Sequence, residues 1–196
     1  GLIHYNLNNN DQALKFYKRA VSDYPGTEEA KDALTGIKNI YVDMNRVDEY
    51  FSYVNGLGDF ARVSISEQDS LTYISAEKIY MEEDCESAIE FFNKYLQKFP
   101  NGSFTENVHF YLADCYDRQG NEEQALEYYE KVIGQTRSTF SEQALSGAAR
   151  IHLSQENHQQ ALDQLEQLEK VAEVHRNLVF SRVGQMRAAY AQGRDD

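Results

Sequence analysis

The sequence predicts an all-α fold, an α-solenoid in which antiparallel helix hairpins stack into a right-handed superhelix. Apolar residues recur at three- and four-residue spacing along most of the chain, which is typical of helices. Only 2 of the 196 residues are proline, and this scarcity favours long helices over strands and turns. A related segment also returns every 36–38 residues. A single hairpin cannot bury its apolar face alone, so this period indicates stacked neighbours.

The clearest unit runs over residues 107–133, with the sequence NVHFYLADCYDRQGNEEQALEYYEKVI. It predicts a helix, a short turn at Gly120 and Asn121, and a second helix. Two small residues, Ala113 and Ala125, stand where the two helices would have to touch. The larger apolar residues that fill the space around them are Leu112, Tyr116, Tyr129 and Val132.

Equivalent residues follow each polar turn and open a second helix. They are Ala13, Tyr50, Ala88, Ala125 and Ala161, at steps of 37, 38, 37 and 36 residues. The prolines give an independent marker, because Pro25 and Pro100 each lie twelve residues after their marker alanine, in the phrases DYPGT and KFPNG. Two markers with one period predict a repeat architecture.

Taken in order, the chain opens with the end of a first helix and a full second helix at about 11–24. In the next hairpin Tyr50 replaces the expected alanine and should push the two helices apart. Residues 59–68 then predict an irregular linker or bend, in which Ser66 or Asp69 could cap the following helix.

We expect one continuous repeat domain, with N-terminal hairpins at 1–58, the linker at 59–68, and hairpins at 69–196 that end in a lone helix. The chain begins inside one hairpin and stops halfway through another. Because a solenoid needs capped ends, this arrangement predicts an excerpt from a longer repeat protein.

Composition excludes several classes of partner. The 19 Lys and Arg against 32 Asp and Glu give a net charge of −13. A surface that binds nucleic acid is basic, so this charge argues against a nucleic-acid partner. No run of about 18 apolar residues occurs, so we expect no transmembrane segment.

The 2 cysteines indicate neither a disulfide framework nor a metal site. Cys115 is interpreted as a small buried apolar residue, and Cys85 as a more exposed one.

Motifs that carry chemistry are missing. The 5 histidines show no HExxH or other metal-ligand spacing. His152 corresponds to Tyr116 of the central unit, so we predict a core role for it. Nucleophile-elbow, phosphate-loop and dinucleotide-binding motifs do not occur. These observations predict no catalytic residue, no cofactor and no metal, and therefore a protein that is not an enzyme.

The central unit resembles the tetratricopeptide repeat (TPR). The pattern of that family has Leu, a small residue, Tyr, Gly, Ala, an aromatic residue and a small apolar residue at set offsets. Those offsets hold Leu112, Ala113, Tyr116, Gly120, Ala125, Tyr129 and Val132. Two other hairpins also fit, with Ala76, Ile79, Ala88, Phe92, Tyr95 and Pro100 in one and Ala13, Tyr17, Ala20 and Pro25 in the other. The chain departs from the pattern at Asn45 and Glu156, which replace the turn glycine, and at Tyr50.

Two further features are similar to a particular branch of the family. The hairpin endings YPG and FPNG, and a period longer than the usual 34 residues, resemble TPR proteins of the bacterial cell envelope. This resemblance implies a periplasmic location and a role as a scaffold that holds a peptide or another protein. A cytoplasmic location stays open.

In such a stack the first helices line a concave groove, and their side chains that face away from the second helices would meet a ligand. These residues are Ser70, Tyr73, Glu77, Tyr80, Asn107, Phe110, Asp114, Asp117, Arg118, Gln143, Ser146 and Arg150. The aromatic residues could anchor a peptide. The acidic residues would select basic or polar ligands, and the two arginines would clamp a carboxylate.

The leading hypothesis is a protein–protein or peptide interaction scaffold within a larger protein. One alternative is a substrate-capture module whose groove aromatics, above all Tyr73 and Phe110, bind a carbohydrate. The other is a self-assembly module, in which exposed apolar helix faces at the two ends pair with another copy. Each of the groove residues also has an ordinary interpretation as a core or solvated side chain.

Overall fold

The computed structural model describes residues 1–134 and 139–193, and of Asp59 only the backbone. Within these residues it contains α-helices, one short 3-10 helix at Asp59–Ala61, and no strand. The α-helices are α1 (Leu2–Asn6), α2 (Asn10–Asp23), α3 (Glu28–Asp43), α4 (Val47–Asn55), α5 (Ile65–Met81), α6 (Cys85–Lys98), α7 (Thr105–Arg118), α8 (Glu122–Ile133), α9 (Ser141–Ser154), α10 (His158–Val171) and α11 (His175–Ala191). The predicted all-α class is confirmed.

Each odd-numbered first helix packs on the even-numbered second helix that follows it, and that second helix packs on the next first helix. The small residues that were expected at the hairpin contacts are completely buried. They form the pairs Ala76 and Ala88, Ala113 and Ala125, and Ala149 and Ala161. Each core cluster also extends into the neighbouring hairpin, as Ala148 and Ile151 do with the central unit. The predicted solenoid of stacked hairpins is therefore confirmed.

The turns inside the hairpins repeat one backbone geometry. A residue with positive φ lies in each of them, at Asn8, Asn45, Glu83, Gly120 and Glu156, and Gly193 has the same sign of φ just after α11. In the central turn the N–H of Asn121 donates to the carbonyl of Tyr116 at 2.9 Å, which is the long bond of a Schellman motif. Left-handed backbone favours glycine, yet most of these turns keep the geometry without it. Asn45 and Glu156 thus change the residue type of the turn and leave its shape intact.

The predicted linker at 59–68 is partly helical. Helix α5 begins at Ile65, and its N-cap is Ser64, whose hydroxyl accepts the N–H of Glu67 at 3.1 Å. The predicted caps, Ser66 and Asp69, both lie inside the helix. The expected cap positions were wrong because residues 63–66 alternate as a strand does, which suggested that the helix begins later. Ser64 has the extended backbone of an N-cap, and the helix begins directly after it.

Asp69 has a different task. It is buried, and its carboxylate accepts the N–H of Ser103 at 2.8 Å and the hydroxyl of Tyr95. The Tyr95 hydroxyl in turn accepts the N–H of Phe104 at 3.1 Å. These bonds tie the turn between α6 and α7 to α5, so the turn that joins two hairpins is fixed by a side chain from the first helix of the earlier hairpin.

The second hairpin accommodates its exceptional tyrosine in the core. Tyr50 is buried, its ring centroid lies 5.9 Å from that of Phe51, and burial raises its pKa to about 12. Its helix α4 has only 9 residues. The hairpin therefore buries a phenol where the other hairpins bury a methyl group.

The two cysteines form a disulfide, which corrects the sequence-based interpretation. Cys85 opens α6 and Cys115 lies in the last turn of α7, and their Cα atoms are 5.2 Å apart. Cys115 is buried as predicted, but it is bonded to the residue 30 positions earlier. The number of cysteines did not reveal the pair, because two cysteines are too few to indicate a disulfide framework. The two residues come together only through the stacking of the hairpins. The bond joins two successive repeats covalently.

Candidate functional site

Side chains on α5, α7 and α9 link these three first helices into one surface, which we name the first-helix surface. Between α5 and α7, the Tyr80 hydroxyl donates to Asp114 Oδ2 at 2.9 Å. Arg118 Nε lies 2.8 Å from the same oxygen, and its guanidinium stands 5.5 Å from the Tyr80 ring centroid. Hydroxyl, carboxylate and guanidinium therefore hold one another in a closed cluster.

A second cluster lies one turn earlier on the same two helices. Glu77 Oε1 accepts the hydroxyl of Tyr73 and, at 3.2 Å, the hydroxyl of Tyr111. The Asn107 side chain donates to the Tyr73 hydroxyl at 3.1 Å. The Tyr73 ring is stacked on Phe104 at a centroid distance of 4.2 Å. This cluster is a partly buried polar network whose members satisfy one another's hydrogen bonds.

Helices α7 and α9 are joined in the same way. Asp117 Oδ2 accepts the hydroxyl of Tyr129 at 3.1 Å and also pairs with the Arg150 guanidinium. Nearby, the Phe110 ring stacks on Phe140 at a centroid distance of 4.5 Å. The Asp117 carboxylate on α7 thus connects Tyr129, which belongs to the same hairpin, to Arg150 of the next hairpin.

The structure places the twelve predicted groove residues at different depths. Ser70, Glu77, Tyr80, Asn107, Phe110, Asp114, Asp117 and Ser146 are half-buried, whereas Arg118, Gln143 and Arg150 are exposed. Tyr73 is only 4% exposed, because Phe104 covers its ring. The interpretation of Tyr73 as an exposed aromatic anchor is therefore wrong.

The tyrosines of these clusters are held as neutral hydrogen-bond donors. Burial, and then the neighbouring Glu77, raise the pKa of Tyr73. Burial and the charge of Asp114 do the same for the pKa of Tyr80, and burial and Asp117 for that of Tyr129. Phenols in such surroundings keep their protons, so they act as fixed donors to the carboxylates.

The two arginines keep donors that the clusters do not use. The Arg118 side chain is 48% exposed and the Arg150 side chain 56% exposed. A guanidinium carries five N–H donors, and one carboxylate can occupy at most part of that fork. The first-helix surface therefore offers two positioned cations, whose aspartate partners fix their orientation.

Two residues of the surface were missing from the sequence-based set. Phe104 and Phe140 lie at the N-caps of α7 and α9, and they stack on Tyr73 and Phe110 respectively. The repeat period was an available signal, because the two phenylalanines are 36 residues apart and their partners 37 residues apart. They escaped notice because a loop residue has no helical periodicity to mark it.

The described residues hold no group of His, Cys, Asp and Glu that could bind a metal ion. Among the helices of that part of the chain, none combines the length and apolar character that crossing a membrane requires. The surface presents positioned charges, fixed hydroxyls and covered aromatic rings. Such a set suits the binding of polar groups on another molecule.

Comparison with known proteins supports the family assignment. Models of the tetratricopeptide repeat match residues 1–27 and 106–134. A comparison with curated proteins found no match.

Solved structures give the same fold. The chain is similar to YrrB, described as a TPR protein with an unusual peptide-binding site, with 18% identity, a TM-score of 0.51, and coverage of 92% of this chain and 87% of YrrB. It is also similar to a Podosopora anserina protein with nearly identical TPR-like repeats, with 15% identity, a TM-score of 0.51, and coverage of 84% and 87%. The hairpins, their buried alanine contacts and both family matches agree: residues 1–27 and 106–134 are tetratricopeptide repeats, within a solenoid of the fold that TPR proteins share.

Proposed function

We propose that this chain is a non-catalytic scaffold that binds a segment of another protein on the first-helix surface of α5, α7 and α9. The observation that carries the proposal is the pair of exposed arginines, Arg118 and Arg150, each held by an aspartate. The peptide-binding site named for YrrB, which has the same fold, supports a peptide as the ligand.

The chemistry of the surface favours a ligand that carries carboxylates. Glu77, Asp114 and Asp117 already accept hydrogen bonds from tyrosines, and the two aspartates also pair with arginines. The charges of Asp114 and Asp117 are already matched by Arg118 and Arg150, so a basic ligand would have to compete with these arginines for the two aspartates. The unused donors belong to the arginines, and a peptide carboxylate can accept two parallel N–H bonds from one guanidinium. We therefore assign the selection to Arg118 and Arg150.

The alternative of carbohydrate capture has less support. Sugar binding by aromatic residues needs an open ring face, but Tyr73 is covered by Phe104 and Phe110 by Phe140. The Tyr80 ring has the guanidinium of Arg118 beside it. The rings that the sequence suggested as sugar platforms therefore stabilise the stack of helices.

The test uses a randomised peptide library with free C-terminal carboxylates and the same library with C-terminal amides. We expect enrichment of free-acid or Asp- and Glu-rich sequences. We also expect the double variant Arg118→Ala/Arg150→Ala to lower the affinity of a selected peptide at least tenfold.

The matched control removes two lysines from second helices, in Lys94→Ala/Lys131→Ala. Those side chains are 58% and 40% exposed. This variant loses the same charge and should bind as the parent does. Equal loss in both double variants, or binding that ignores the carboxylate, would reject the proposal.

We also propose that the protein works in an oxidising compartment, the periplasm of a bacterial cell envelope. The disulfide between Cys85 and Cys115 supports this location, because such bonds persist outside the reducing cytosol. Trapping thiols with an alkylating agent in intact cells tests it. Recovery of both cysteines in the alkylated, reduced form would contradict the proposal.

A further inference from the structure

Helix α5 exposes two large apolar side chains on the first-helix surface. Ile74 is 44% exposed and Met81 is 62% exposed. They are seven residues apart in the sequence, so at 3.6 residues per turn they differ in direction by only about 20° around the helix. We name Ile74 and Met81 the α5 apolar pair.

Contacts on either side of α5 fix the direction in which the pair points. Towards α3, Lys78 donates to the carbonyl of Asp43 at 2.8 Å. Towards α7, the Tyr80 hydroxyl donates to Asp114 at 2.9 Å. Around the helix the α5 apolar pair lies between these two directions, so it points out of the stack. Because the stack provides α3 before α5 and α7 after it, the exposure of this face does not depend on where the chain begins or ends.

The repeat itself does not require apolar residues at these two positions. The residues equivalent to Met81 on the other first helices are Asp43, Arg118 and Ser154. Those equivalent to Ile74 are Gly36, Tyr111 and Gly147, and Tyr111 is buried. A residue needed for packing recurs with the period, as the buried Ala76 and Ala113 do. Among α3, α5, α7 and α9, only α5 therefore exposes a large apolar side chain at both positions.

The α5 apolar pair has different charges on its two sides. On the α3 side, Lys78 and Asp43 lie 3.7 Å apart and neutralise each other. On the α7 side, the Arg118 guanidinium stands 5.5 Å from the ring of Tyr80, the residue before Met81. That guanidinium keeps N–H donors that its aspartate does not occupy. A carboxylate bound to Arg118 would therefore lie beside an apolar surface.

We propose that the α5 apolar pair is a specificity subsite, which selects a peptide that carries a large apolar side chain close to the carboxylate bound by Arg118. The inference rests on the proposed function, because both use Arg118. Complementarity of charge on the α7 side and of apolar surface on α5 is the argument for this occupant. Met81 has a flexible, polarisable side chain, which adapts to Leu, Ile, Met or Phe in the ligand.

The geometry also predicts the spacing of the two ligand residues. Side chains of α5 and α7 bond directly to each other, and the axes of helices in such contact lie about 8–10 Å apart. An extended peptide advances about 3.3 Å per residue. The apolar residue of the ligand should therefore come about three positions from the acidic one.

Other occupants fit the pair less well. Two copies of this chain would each bring a net charge of −13, which opposes association. A lipid surface takes up a broad apolar face, whereas the α5 apolar pair is two side chains within a surface of hydrogen-bonded carboxylates and hydroxyls.

The experiment uses three peptides of eight residues in a glycine and serine background. The first ends in aspartate with a free carboxylate and has leucine three positions before it. The second has serine in place of the leucine. The third keeps the leucine but ends in asparagine amide. Binding to the full chain is followed by NMR titration of its amide and methionine methyl signals.

The methionine signals report where the leucine binds. The chain has 3 methionines, and Met186 on α11 is 72% exposed. We expect the leucine peptide to shift the methyl signal of Met81 and to leave that of Met186 in place. We also expect it to bind about fivefold more tightly than the serine peptide, or better, because the leucine leaves water on binding.

Variants then test the two residues. Ile74→Ser/Met81→Ser should bind the leucine and serine peptides with equal affinity. The matched control Ile65→Ser/Met186→Ser removes the same residue types from positions that are 78% and 72% exposed. It should keep the preference for leucine. Circular dichroism checks that each variant keeps its helices.

Failure of this inference and failure of the proposed function give different results. If the leucine and serine peptides bind alike and the amide peptide binds more weakly than both, selection of carboxylates stands and the apolar subsite is rejected. If the amide peptide binds as tightly as the leucine peptide, or no peptide binds, the proposed function fails and this inference fails with it. Self-association of the chain, seen by sedimentation and removed by Ile74→Ser/Met81→Ser, would assign the pair to a second copy and overturn the proposal.

Discussion

At the scale of single residues, Gly147 shows how closely neighbouring hairpins approach. A Cβ atom at this position would lie 2.6 Å from the ring of Tyr129, which comes from the preceding second helix. Alanine is the better helix former, so on propensity alone Gly147→Ala would stabilise the protein by roughly 1 kcal/mol. We expect the opposite, a loss of about 1–3 kcal/mol, because the ring must move within a packed core.

Denaturant unfolding of a double-mutant cycle measures this effect. In the Tyr129→Ala background the ring is gone, so adding Gly147→Ala should cost nothing or stabilise. An equal cost in both backgrounds would show that the ring is not the obstacle. The same close approach recurs at Gly36, which meets the Tyr17 ring, and at Gly184, which meets Leu165.

His152 predicts a pH dependence of stability. It is 8% exposed, and its Nδ1 atom has no hydrogen-bond partner among the described residues. Burial lowers its pKa from the ordinary 6.5, although the charge of Glu130 opposes the shift. The unfolded chain therefore takes up the proton more readily than the folded one, and the folded state loses stability as the pH falls below about 6.5.

Thermal melts at pH 7.5 and pH 5.5 test this expectation. Acidification should lower the melting temperature of the parent protein more than that of His152→Tyr, which carries the residue found at the corresponding Tyr116. His109, whose pKa burial also lowers, supplies a remaining pH dependence. His175→Tyr, at an exposed histidine, is the control and should behave like the parent. A parallel response of all three proteins would contradict the assignment.

At the scale of elements, the disulfide is the strongest single link between two hairpins. It closes a loop with a sequence separation of 30 between α6 and α7. Loop-closure entropy then predicts a contribution of about 3–4 kcal/mol to the free energy of unfolding. We expect Cys85→Ala/Cys115→Ala, and the reduced parent protein, to lose that amount in urea unfolding. If adding dithiothreitol to the parent left its midpoint unchanged, the stabilisation would be disproved.

At the scale of the whole molecule, the solenoid should unfold from its ends. Each hairpin packs only on its neighbours, and the disulfide and the densest aromatic cluster both lie between α5 and α8. We expect native-state hydrogen exchange to be slowest in α6 and α7 and fastest in α1 and α11. Reduction should speed exchange in α6 and α7 more than in α10. Uniform exchange across all helices would indicate a single cooperative unit instead.

The sequence by itself determined the helices, their period and their close contacts. Apolar spacing and the repeated alanines report on local geometry, and local geometry recurs in every hairpin, so Ala88, Ala125 and Ala161 were identified correctly. His152 was also placed correctly in the core, because its repeat position is an apolar one.

Only the tertiary structure decided how residues from different hairpins meet. The bond between Cys85 and Cys115, the tie from Asp69 to the turn at Ser103, and the burial of Tyr73 under Phe104 all join residues that are about 30 positions apart. No helical period encodes such pairs. They depend on the angle and distance at which one hairpin stacks on the next, and that geometry is a property of the packed molecule.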